Sequence, residues 1–425
     1  MRRFLLPCLL LFAACGKDPT TPAPAALPTP TATLSAWALP VSAGAQPDLV
    51  AGRDGAVLLS WLEAEAGGGH ALKFARFDGT AWSAPRVIAS GTDWFVNWAD
   101  TPHLLSTADG AVWAHWLRQS ASAKYAYDVV LSRSADGGET WSAPVVVNDD
   151  GTPTEHGFVA LWPASPDTLG IAWLDGRSSA PAQHGHDGHG AGAMTLRAAV
   201  FDAALGKSAE TELDPRTCDC CQTDAAVTAR GPLLLYRDRD GGEIRDIVAT
   251  RLDQGAWTLP RKVHDDRWKM PACPVNGPAV AARGNDAWVA WYTAAGDLPK
   301  VQVAHSRDAG DSFSKPVELD GGPQVQGRVG VAVDGTSAWV NWTREDADGQ
   351  SLWVARYESD LSKELQRIEV AALQGRGRAT GFPQMVARGD AVHVVWTDVI
   401  DGKPALRGAR VVVEQGPGMP PGTGK

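Results

Sequence analysis

The sequence predicts an all-β protein, a seven-bladed β-propeller whose ring is closed by the N-terminal strand. An apolar strand that ends in Trp or Tyr recurs along the 425 residues, roughly 50 to 60 residues apart. That interval suits a four-stranded antiparallel sheet with its loops, which is one propeller blade. The repeats end at Trp61, Trp116, Trp173, Tyr236, Trp291, Trp342 and Trp396.

The other strands of each blade are recognisable around these repeats. Third strands read LKFARF, DVVLSRS, TLRAAVF, DIVATRL, VQVAHSR, LWVARY and ALRGARV, and fourth strands read WSAPRVIA, WSAPVVVN, WTLPRKVH and SKPVEL. The seventh blade has no fourth strand before the chain ends, whereas the segment 36–41, AWALPV, resembles WSAPRV. We therefore expect this N-terminal segment to complete the last blade, because closing the ring leaves no long strand edge exposed.

The chain divides into four predicted segments. They are a lipoprotein signal peptide at 1–14, a lipidated Cys15 with a Pro/Thr/Ala-rich tether to residue 34, the propeller at 35–414, and a disordered Gly/Pro tail at 415–425. Residues 2–3 are basic and residues 4–14 form an apolar stretch too short to span a bilayer, which is typical of a secretory signal. An ordinary signal peptide with a chance cysteine is the alternative.

The end of the apolar stretch, FAACG at 12–16, resembles a bacterial lipobox. The resemblance implies lipidation of Cys15, and Gly16 after it resembles lipoproteins that reach the outer membrane. We therefore expect a membrane partner through the N-terminal lipid and a location in the bacterial cell envelope, facing the periplasm or the exterior. The formal net charge of −10 argues against a general nucleic-acid surface, which needs a basic excess.

Two turns between third and fourth strands carry an S-x-D-x-G-x-x-W pattern, with Phe in the last place of the second. The Asp oxygens accept turn N–H groups, the glycine tolerates positive φ and the aromatic ring wedges between strands, so we interpret both turns as structural. Their residues are Ser134, Asp136, Gly138 and Trp141, and Ser306, Asp308, Gly310 and Phe313. These Asp boxes resemble those of the sialidase-like, or BNR-repeat, propeller superfamily, and the resemblance covers residues 36–414.

The resemblance implies a catalytic constellation that this sequence does not reproduce. Sialidases resemble one another in an Arg-Ile-Pro segment that opens the first blade, two further arginines, an Asp acid/base and a Tyr–Glu nucleophilic pair, on six blades. Here the first blade opens with Ala45-Gln46-Pro47, and neither Tyr292 nor Tyr357 has a convincing nucleophile context. The resemblance therefore supports the fold and not the activity. A six-bladed sialidase propeller and an exo-α-sialidase-type hydrolase stay as alternatives, and no catalytic residue is assigned.

All four cysteines of the predicted propeller fall in the connections that enter blades four and five. In a propeller these 4–1 connections and the 2–3 loops lie on one face, which we call the front face. The cluster comprises Cys218, Cys220 and Cys221 in the first connection, and Cys273 with His264 and Met270 in the second. The strings CDCCQT and CPVNGP resemble the signature of a subgroup of exported sialidase-like propellers.

Three interpretations of the cysteine cluster stay open. An even number of cysteines in an oxidising compartment predicts two disulfides, and the pairs Cys218–Cys221 and Cys220–Cys273 avoid a strained bridge between neighbours. Thiolates with His264 or Met270 instead predict a copper or zinc site, since soft ligands favour Cu(I) and thiolate plus imidazole suits zinc. The C-x-x-C spacing also permits a redox-active dithiol.

Two further groups are expected on the front face. The blade-three loop carries His184, His186 and His189, which form either a solvated loop or an auxiliary metal-binding loop. A ligand-binding rim, or alternatively a set of structural ion pairs and turns, is predicted at Arg237, Asn276, Arg328 and Arg378.

Together these patterns favour a lipid-anchored, non-hydrolytic binding module of the cell envelope. Its ligand would be a glycan or an envelope protein, and its cofactor, if it has one, copper or zinc. A sialidase-type glycosidase and a plain interaction scaffold are the alternative functions, so whether the protein is an enzyme stays open.

Overall fold

The structure is a computed structural model, and it describes residues 31–52, 54–179 and 192–413. One compact unit spans Thr31–Glu414. The predicted signal peptide, Cys15, the histidines at 184, 186 and 189, and the tail at 415–425 lie outside the described residues. In the part that is described, no helix is long and apolar enough to cross a membrane.

The described residues form seven antiparallel sheets, which confirms the predicted number of blades and excludes the six-bladed alternative. Blade one is β2–β5, blade two β6–β9, blade three β10–β13, blade four β14–β18, blade five β19–β22, blade six β23–β26, and blade seven β27–β29 with β1. In chain order the strands are β1 Ala32–Ala36, β2 Ala45–Ala51, β3 Val57–Ala64, β4 His70–Phe77, β5 Arg86–Gly91, β6 Leu104–Ser106, β7 Val112–Gln119, β8 Tyr127–Ser134, β9 Val145–Val146, β10 His156–Pro163, β11 Leu169–Asp175, β12 Thr195–Phe201, β13 Lys207–Asp214, β14 Asp224–Thr228, β15 Gly231–Arg237, β16 Ile247–Asp253, β17 Ala256–Trp257, β18 Arg261–Lys262, β19 Ala279–Arg283, β20 Asp286–Thr293, β21 Lys300–Ser306, β22 Val317–Gly321, β23 Val325–Val333, β24 Ser337–Glu345, β25 Gln350–Glu358, β26 Glu364–Leu373, β27 Gln384–Arg388, β28 Ala391–Ile400 and β29 Lys403–Val413. Two 3-10 turns, Ala295–Asp297 and Gly377–Thr380, lie between strands.

The N-terminal strand closes the ring as predicted, although it lies a few residues earlier than expected. Strand β1 pairs antiparallel with β29, from Ala32 opposite Val413 to Ala36 opposite Ala409. The predicted segment 36–41 follows this strand, and the Trp37 backbone N–H still donates to the Gly408 carbonyl at 2.9 Å. Since β29 is thereby covered, blade seven presents no long unpaired edge.

The recurring aromatic residues lie on the second strand of every blade and form the core between blades. Trp61, Trp173, Trp291 and Trp342 have no exposed surface. The hydrophobic clusters join residues of neighbouring blades. In one of them, Trp173 of blade three lies together with Trp113 of blade two. Burying rings of this size supplies the largest apolar contribution that each repeat makes to the fold.

The two Asp-box turns lie between third and fourth strands, on the face opposite the front. In the first, Ser134 Oγ donates to Asp136 Oδ1 at 2.7 Å and accepts the Gly138 N–H at 2.7 Å. Gly138 has a φ of 94°, and a Cβ on it would overlap the Phe74 ring. The second turn repeats these bonds among Ser306, Asp308 and Gly310.

Candidate functional site

A cavity of about 300 Å³ lies on the propeller axis and is lined by the innermost strand of every blade. The residues at the front ends of these strands are mainly polar, and those further along are apolar. The polar lining consists of Asp48, Thr101, His103, Gln222, Thr223, Asp224 and Gln384. Leu105, Leu161, Val280, Val331 and Met385 are among the apolar lining residues.

Three titratable side chains from blades one, two and four face one another across this cavity. Asp48 Oδ1 lies 3.1 Å from His103 Nδ1. Burial lowers the pKa of His103, but the attraction of Asp48 and Asp224 outweighs it, so the pKa is raised overall. Burial raises the pKa of Asp224 to about 6. The front of the cavity therefore carries two carboxylates and one imidazole that they stabilise in its charged form.

Four side chains near the front ends of the inner strands, Asp48 and Asp224 among them, also fasten one blade to the next. Each accepts the backbone N–H of the following inner strand, so the front ends of the blades are held in a fixed register. The bonds run from Leu104 to Asp48 at 2.7 Å, from Phe158 to Asp100 at 2.8 Å, from Val280 to Asp224 at 2.7 Å and from Arg328 to Asn276 at 2.8 Å.

Two buried polar atoms near the cavity have no hydrogen bond among the described residues. Asn341 Oδ1 has none, and it lies where a side chain on Gly330, a cavity-lining residue, would be. Ser60 Oγ, on the strand position paired with Asp48, is a second such atom. Both atoms lie on second strands, behind the inner strands that line the cavity.

The four cysteines form the two disulfides that the sequence analysis favoured, Cys218–Cys221 and Cys220–Cys273. Their Cα–Cα distances are 5.8 and 6.1 Å, within the normal range for disulfides. The first is buried, whereas the second is half-buried and ties the connection before blade four to that before blade five. The sulfur atoms of Cys218, Cys220 and Cys221 lie within 4.8 Å of one another.

The structure does not bring His264 into this sulfur group. His264 Nδ1 lies 2.8 Å from Asp266 Oδ1, a partner two residues away. Met270 is half-buried, and its backbone N–H donates to the Glu243 carbonyl at 2.9 Å. Whether either residue binds a metal stays a prediction.

A charged network surrounds the buried disulfide. Arg245 donates to Cys218 Sγ at 3.4 Å and to Glu243 at 3.0 Å. Arg239 bridges Glu243 and Asp219. A guanidinium in contact with sulfur stabilises a thiolate, so reduction of this disulfide would place a negative sulfur beside a positive partner.

Of the four predicted rim residues, Arg378 alone is exposed. Arg237 is buried, stacks on Trp268 and donates to the carbonyls of Asn276, Arg245 and Tyr292 at 2.8, 2.6 and 2.7 Å. Arg328 is buried and donates to Thr380 Oγ1 and to the carbonyls of Gly377 and Gly381 at 2.7, 2.8 and 3.0 Å. Burial lowers the pKa of both Arg237 and Arg328 to about 10. These guanidinium groups hold the front connections together, and Asn276 is buried between them.

The segment before blade two reaches across the channel mouth, which the sequence analysis did not predict. Trp98 stacks on Phe382 of the connection before blade seven, with ring centroids 5.7 Å apart. Arg328 and Arg378 lie over the same indole at 5.2 and 5.7 Å. The next residue, Ala99, accepts a 2.7 Å hydrogen bond from Gln222 of the connection before blade four. The sequence signal was a pair of tryptophans, Trp94 and Trp98, in this connection.

Two carboxyl groups on the front face have strongly raised pKa values, and the sequence analysis missed both. Burial, followed by repulsion from Asp219 and Asp100, raises the pKa of Glu155 to about 8. Burial raises the pKa of Asp100 to about 7. At neutral pH Glu155 is therefore largely protonated and available as a hydrogen-bond donor.

The elements of a sialidase site do not meet at the mouth among the described residues. Tyr357 donates to Glu364 at 2.6 Å, but this pair lies beside the turn between β25 and β26, at the back. Tyr236, which donates to Asp214 at 2.6 Å, is fully buried. Ala45 begins β2, where the resemblance would require an arginine.

No family model matches the chain, and no curated protein matches it. Several solved structures are similar to it. The polysaccharide lyase Uly1 is 8% identical, with a TM-score of 0.49 over 87% of this chain and 90% of the other. The phage phi92 endosialidase is 11% identical, with a TM-score of 0.47 over 93% and 71%. A mutant of NanB sialidase from Streptococcus pneumoniae is 13% identical, with a TM-score of 0.44 over 92% and 71%. Since these TM-scores are below 0.5, the propeller assignment rests on the seven sheets themselves.

Proposed function

We propose that this chain is a cell-envelope lipoprotein whose propeller binds a small hydroxylated ligand at the front mouth of its channel without hydrolysing it. The observation that carries the proposal is the axial cavity, which has a polar front and an apolar interior. Its volume of about 300 Å³ is at the lower end of ligand pockets and suits one sugar ring or a molecule of similar size.

The charge of the cavity favours a neutral or positively charged ligand. Asp48 and Asp224 outnumber the imidazole of His103, so an anionic sugar would be repelled at close range. Carboxylate oxygens accept hydrogen bonds from hydroxyl or ammonium groups, and the Phe382 ring offers an apolar surface beside them.

The use of the arginines supports binding without hydrolysis. Arg237 and Arg328 donate to backbone carbonyls and a buried hydroxyl, so neither guanidinium is available to clamp a substrate carboxylate. Of the two tyrosine–carboxylate pairs, Tyr357–Glu364 lies at the back of the propeller, and Tyr236 of the Tyr236–Asp214 pair is fully buried.

The test is a calorimetric titration of the full chain in mild detergent with glucosamine, glucose and N-acetylneuraminic acid. We expect glucosamine to bind most tightly and N-acetylneuraminic acid most weakly. The Asp224→Asn variant keeps an oxygen for the Val280 N–H, loses the oxygen that accepts the Ala225 N–H, and removes the charge. It should weaken glucosamine binding about tenfold, or ~1.4 kcal/mol. Asp401→Asn, at an exposed turn residue, is the matched control. Equal affinities for all three sugars, or no measurable binding of any of them, would overturn the proposal.

A second candidate function, soft-metal binding by the reduced cysteine cluster, is favoured by the sulfur geometry. Three sulfur atoms from one short segment lie within 4.8 Å, and the fourth is bonded to one of them. Reduction of the two disulfides by an envelope dithiol would transfer two electrons to each and leave four thiols, of which two or three suffice for Cu(I).

This candidate is tested by thiol counting and Cu(I) titration against a chromogenic chelator, before and after reduction of the full chain. With the leader that carries Cys8 removed and Cys15 lipidated, the disulfide structure predicts no reactive thiol as purified and no Cu(I) bound. About one equivalent of Cu(I) after reduction, lost in Cys220→Ser/Cys221→Ser, supports metal binding. Failure of the reduced protein to compete with the chelator leaves the disulfides a structural role and rejects this function.

A further inference from the structure

Three potential metal ligands from separate segments of blade three converge beside its front end. Asp150 lies in the connection before β10, His156 is the first residue of β10, and Asp175 is the last residue of β11. One ligand atom from each lies within 4.8 Å of the others. We propose that these residues form a binding site for a divalent transition-metal ion of the zinc or manganese class, separate from the channel cavity and the cysteine cluster.

The orientation of His156 is what a metal ligand requires. The side chain is fully buried, and its Nδ1 lies 3.0 Å from the Tyr127 carbonyl, which can only accept, so Nδ1 carries the hydrogen. Nε2 then points at the carboxylates, in a 3.1 Å contact with Asp150 Oδ2 that a bound ion would replace, and 3.8 Å from Asp175 Oδ1. Metal-bound imidazoles are held in this way, with the second nitrogen fixed by a carbonyl.

The two carboxylates are also positioned by neighbours. Asp150 Oδ1 accepts the Thr152 N–H at 2.9 Å, which leaves Oδ2 directed at His156. Asp175 Oδ2 accepts the Trp173 indole N–H at 2.7 Å. Oδ1 accepts the Arg177 backbone N–H at 3.0 Å and the Arg177 Nε–H at 2.8 Å, and it lies 3.8 Å from the imidazole Nε2. One imidazole and two carboxylates are ligands for Zn²⁺ or Mn²⁺ and poor ligands for Cu(I), so this site and the cysteines would select different ions.

The positively charged Arg177 contacts both carboxylates and must shift when a metal ion binds. Its guanidinium binds Asp175 at 2.8 Å and lies 3.4 Å from Asp150 Oδ2. It also binds Glu210 at 3.1 Å, so it keeps a carboxylate partner if it withdraws from Asp150. An ion at Asp175 Oδ1 displaces the Arg177 Nε–H bond to that oxygen, at 2.8 Å, as well as the long ion pair to Asp150. Arg177 keeps Asp175 Oδ2 and Glu210 as partners, and the divalent ion lies between two anionic ligands.

The site is tested by titrating the chelator-treated, oxidised full chain with Zn²⁺ and Co²⁺. We expect one ion to bind, a rise of several degrees in the unfolding temperature, and visible Co²⁺ bands typical of nitrogen and oxygen ligands. His156→Gln and Asp150→Asn should each weaken binding at least tenfold. Because Asp150→Asn leaves the buried histidine in place, it separates loss of the ion from misfolding.

The control is His305→Gln, which removes a histidine held by Asp286 near the back of blade five. This variant should bind Zn²⁺ as the wild type does. Binding that survives His156→Gln but is lost when His184, His186 and His189 are replaced would assign the ion to that loop and overturn the proposal. Absence of stoichiometric binding by the wild type would overturn it equally.

Discussion

The indole N–H of Trp173 donates a 2.7 Å hydrogen bond to Oδ2 of Asp175, at the front end of the same strand. The pairing recurs around the ring, since the repeated tryptophans on other blades also donate to buried or half-buried carboxylates. The further pairs are Trp61–Glu63 at 2.8 Å, Trp291–Asp266 at 2.7 Å and Trp342–Asp320 at 2.6 Å. In these four blades the repeat thus buries a large ring and satisfies its one polar atom with a nearby anion, whereas Trp396 Nε1 of blade seven is buried without a hydrogen bond among the described residues.

The first prediction concerns this tryptophan–carboxylate pair. Trp342→Phe removes the indole N–H and leaves part of its buried volume empty, so the free energy of unfolding should fall by about 2–4 kcal/mol. Trp353→Phe, at a half-buried ring whose N–H donates to Ser351, should cost less than half as much. Denaturant titration measures both, and equal losses would contradict this account of the repeat.

The second prediction concerns the first Asp-box turn. Gly138→Ala should lower the free energy of unfolding by about 2–4 kcal/mol, because the new methyl overlaps Phe74 at a positive φ. Gly137→Ala is the matched control, since its φ is also positive but no atom lies within 4 Å. It should cost about 1 kcal/mol. Urea denaturation compares them, and a harmless Gly138→Ala would refute the packing argument.

The third prediction is a pH dependence of stability caused by Glu155. Its pKa is raised to about 8 in the folded protein, with burial as the main cause, from an ordinary value of 4.5. The folded state therefore holds the proton more tightly, and the stability it contributes below pH 4.5 is lost as the pH rises through about 8. Glu155→Gln should flatten the unfolding temperature between pH 5 and 9 and raise stability at pH 9 by roughly 1–3 kcal/mol.

Glu65→Gln, at an exposed carboxylate, controls for the change in net charge. If the unfolding temperatures of Glu155→Gln and wild type change in parallel from pH 5 to pH 9, Glu155 does not have a raised pKa in the folded protein.

The fourth prediction separates the two disulfides by the chain length they close. Cys220–Cys273 spans 53 residues, so Cys220→Ser/Cys273→Ser should cost about 4 kcal/mol of unfolding free energy. Cys218–Cys221 spans 3 residues, and its double serine variant should cost about 2 kcal/mol in chain entropy. Denaturation midpoints rank the two variants, and the reverse order would show that burial of the first disulfide outweighs loop closure.

The repeat architecture was predictable because each blade carries its own local pattern. The seven apolar strands could be read from spacing, and the closure from the likeness of segment 36–41 to a fourth strand. The cysteine pairing seen here was one of three interpretations that the sequence left open. The outer strand of blade four was predicted as one strand, WTLPRKVH, but is two short pieces, β17 and β18. Pro260 lies between them and has no N–H to donate to the sheet.

The site residues were less predictable, because ring closure brings together segments far apart in the chain. Asp48, His103 and Asp224 belong to three blades, and no local pattern marks them. Local partners also change the role of predicted residues. His264 contacts Asp266 instead of the sulfur group, and the carbonyls around Arg237 occupy a guanidinium that the sequence offered either to a ligand or to structural contacts.

The most direct test of the central claim, binding without hydrolysis at the front mouth, uses two fluorogenic glycosides on the full chain. The 4-methylumbelliferyl glycosides of glucosamine and of N-acetylneuraminic acid report binding by a change in tryptophan fluorescence and hydrolysis by release of the fluorophore. The account predicts saturable binding of the glucosaminide, weakened by Asp224→Asn, and no fluorophore release from either. Catalytic release from the sialoside, or binding that Asp224→Asn leaves unchanged, would contradict it.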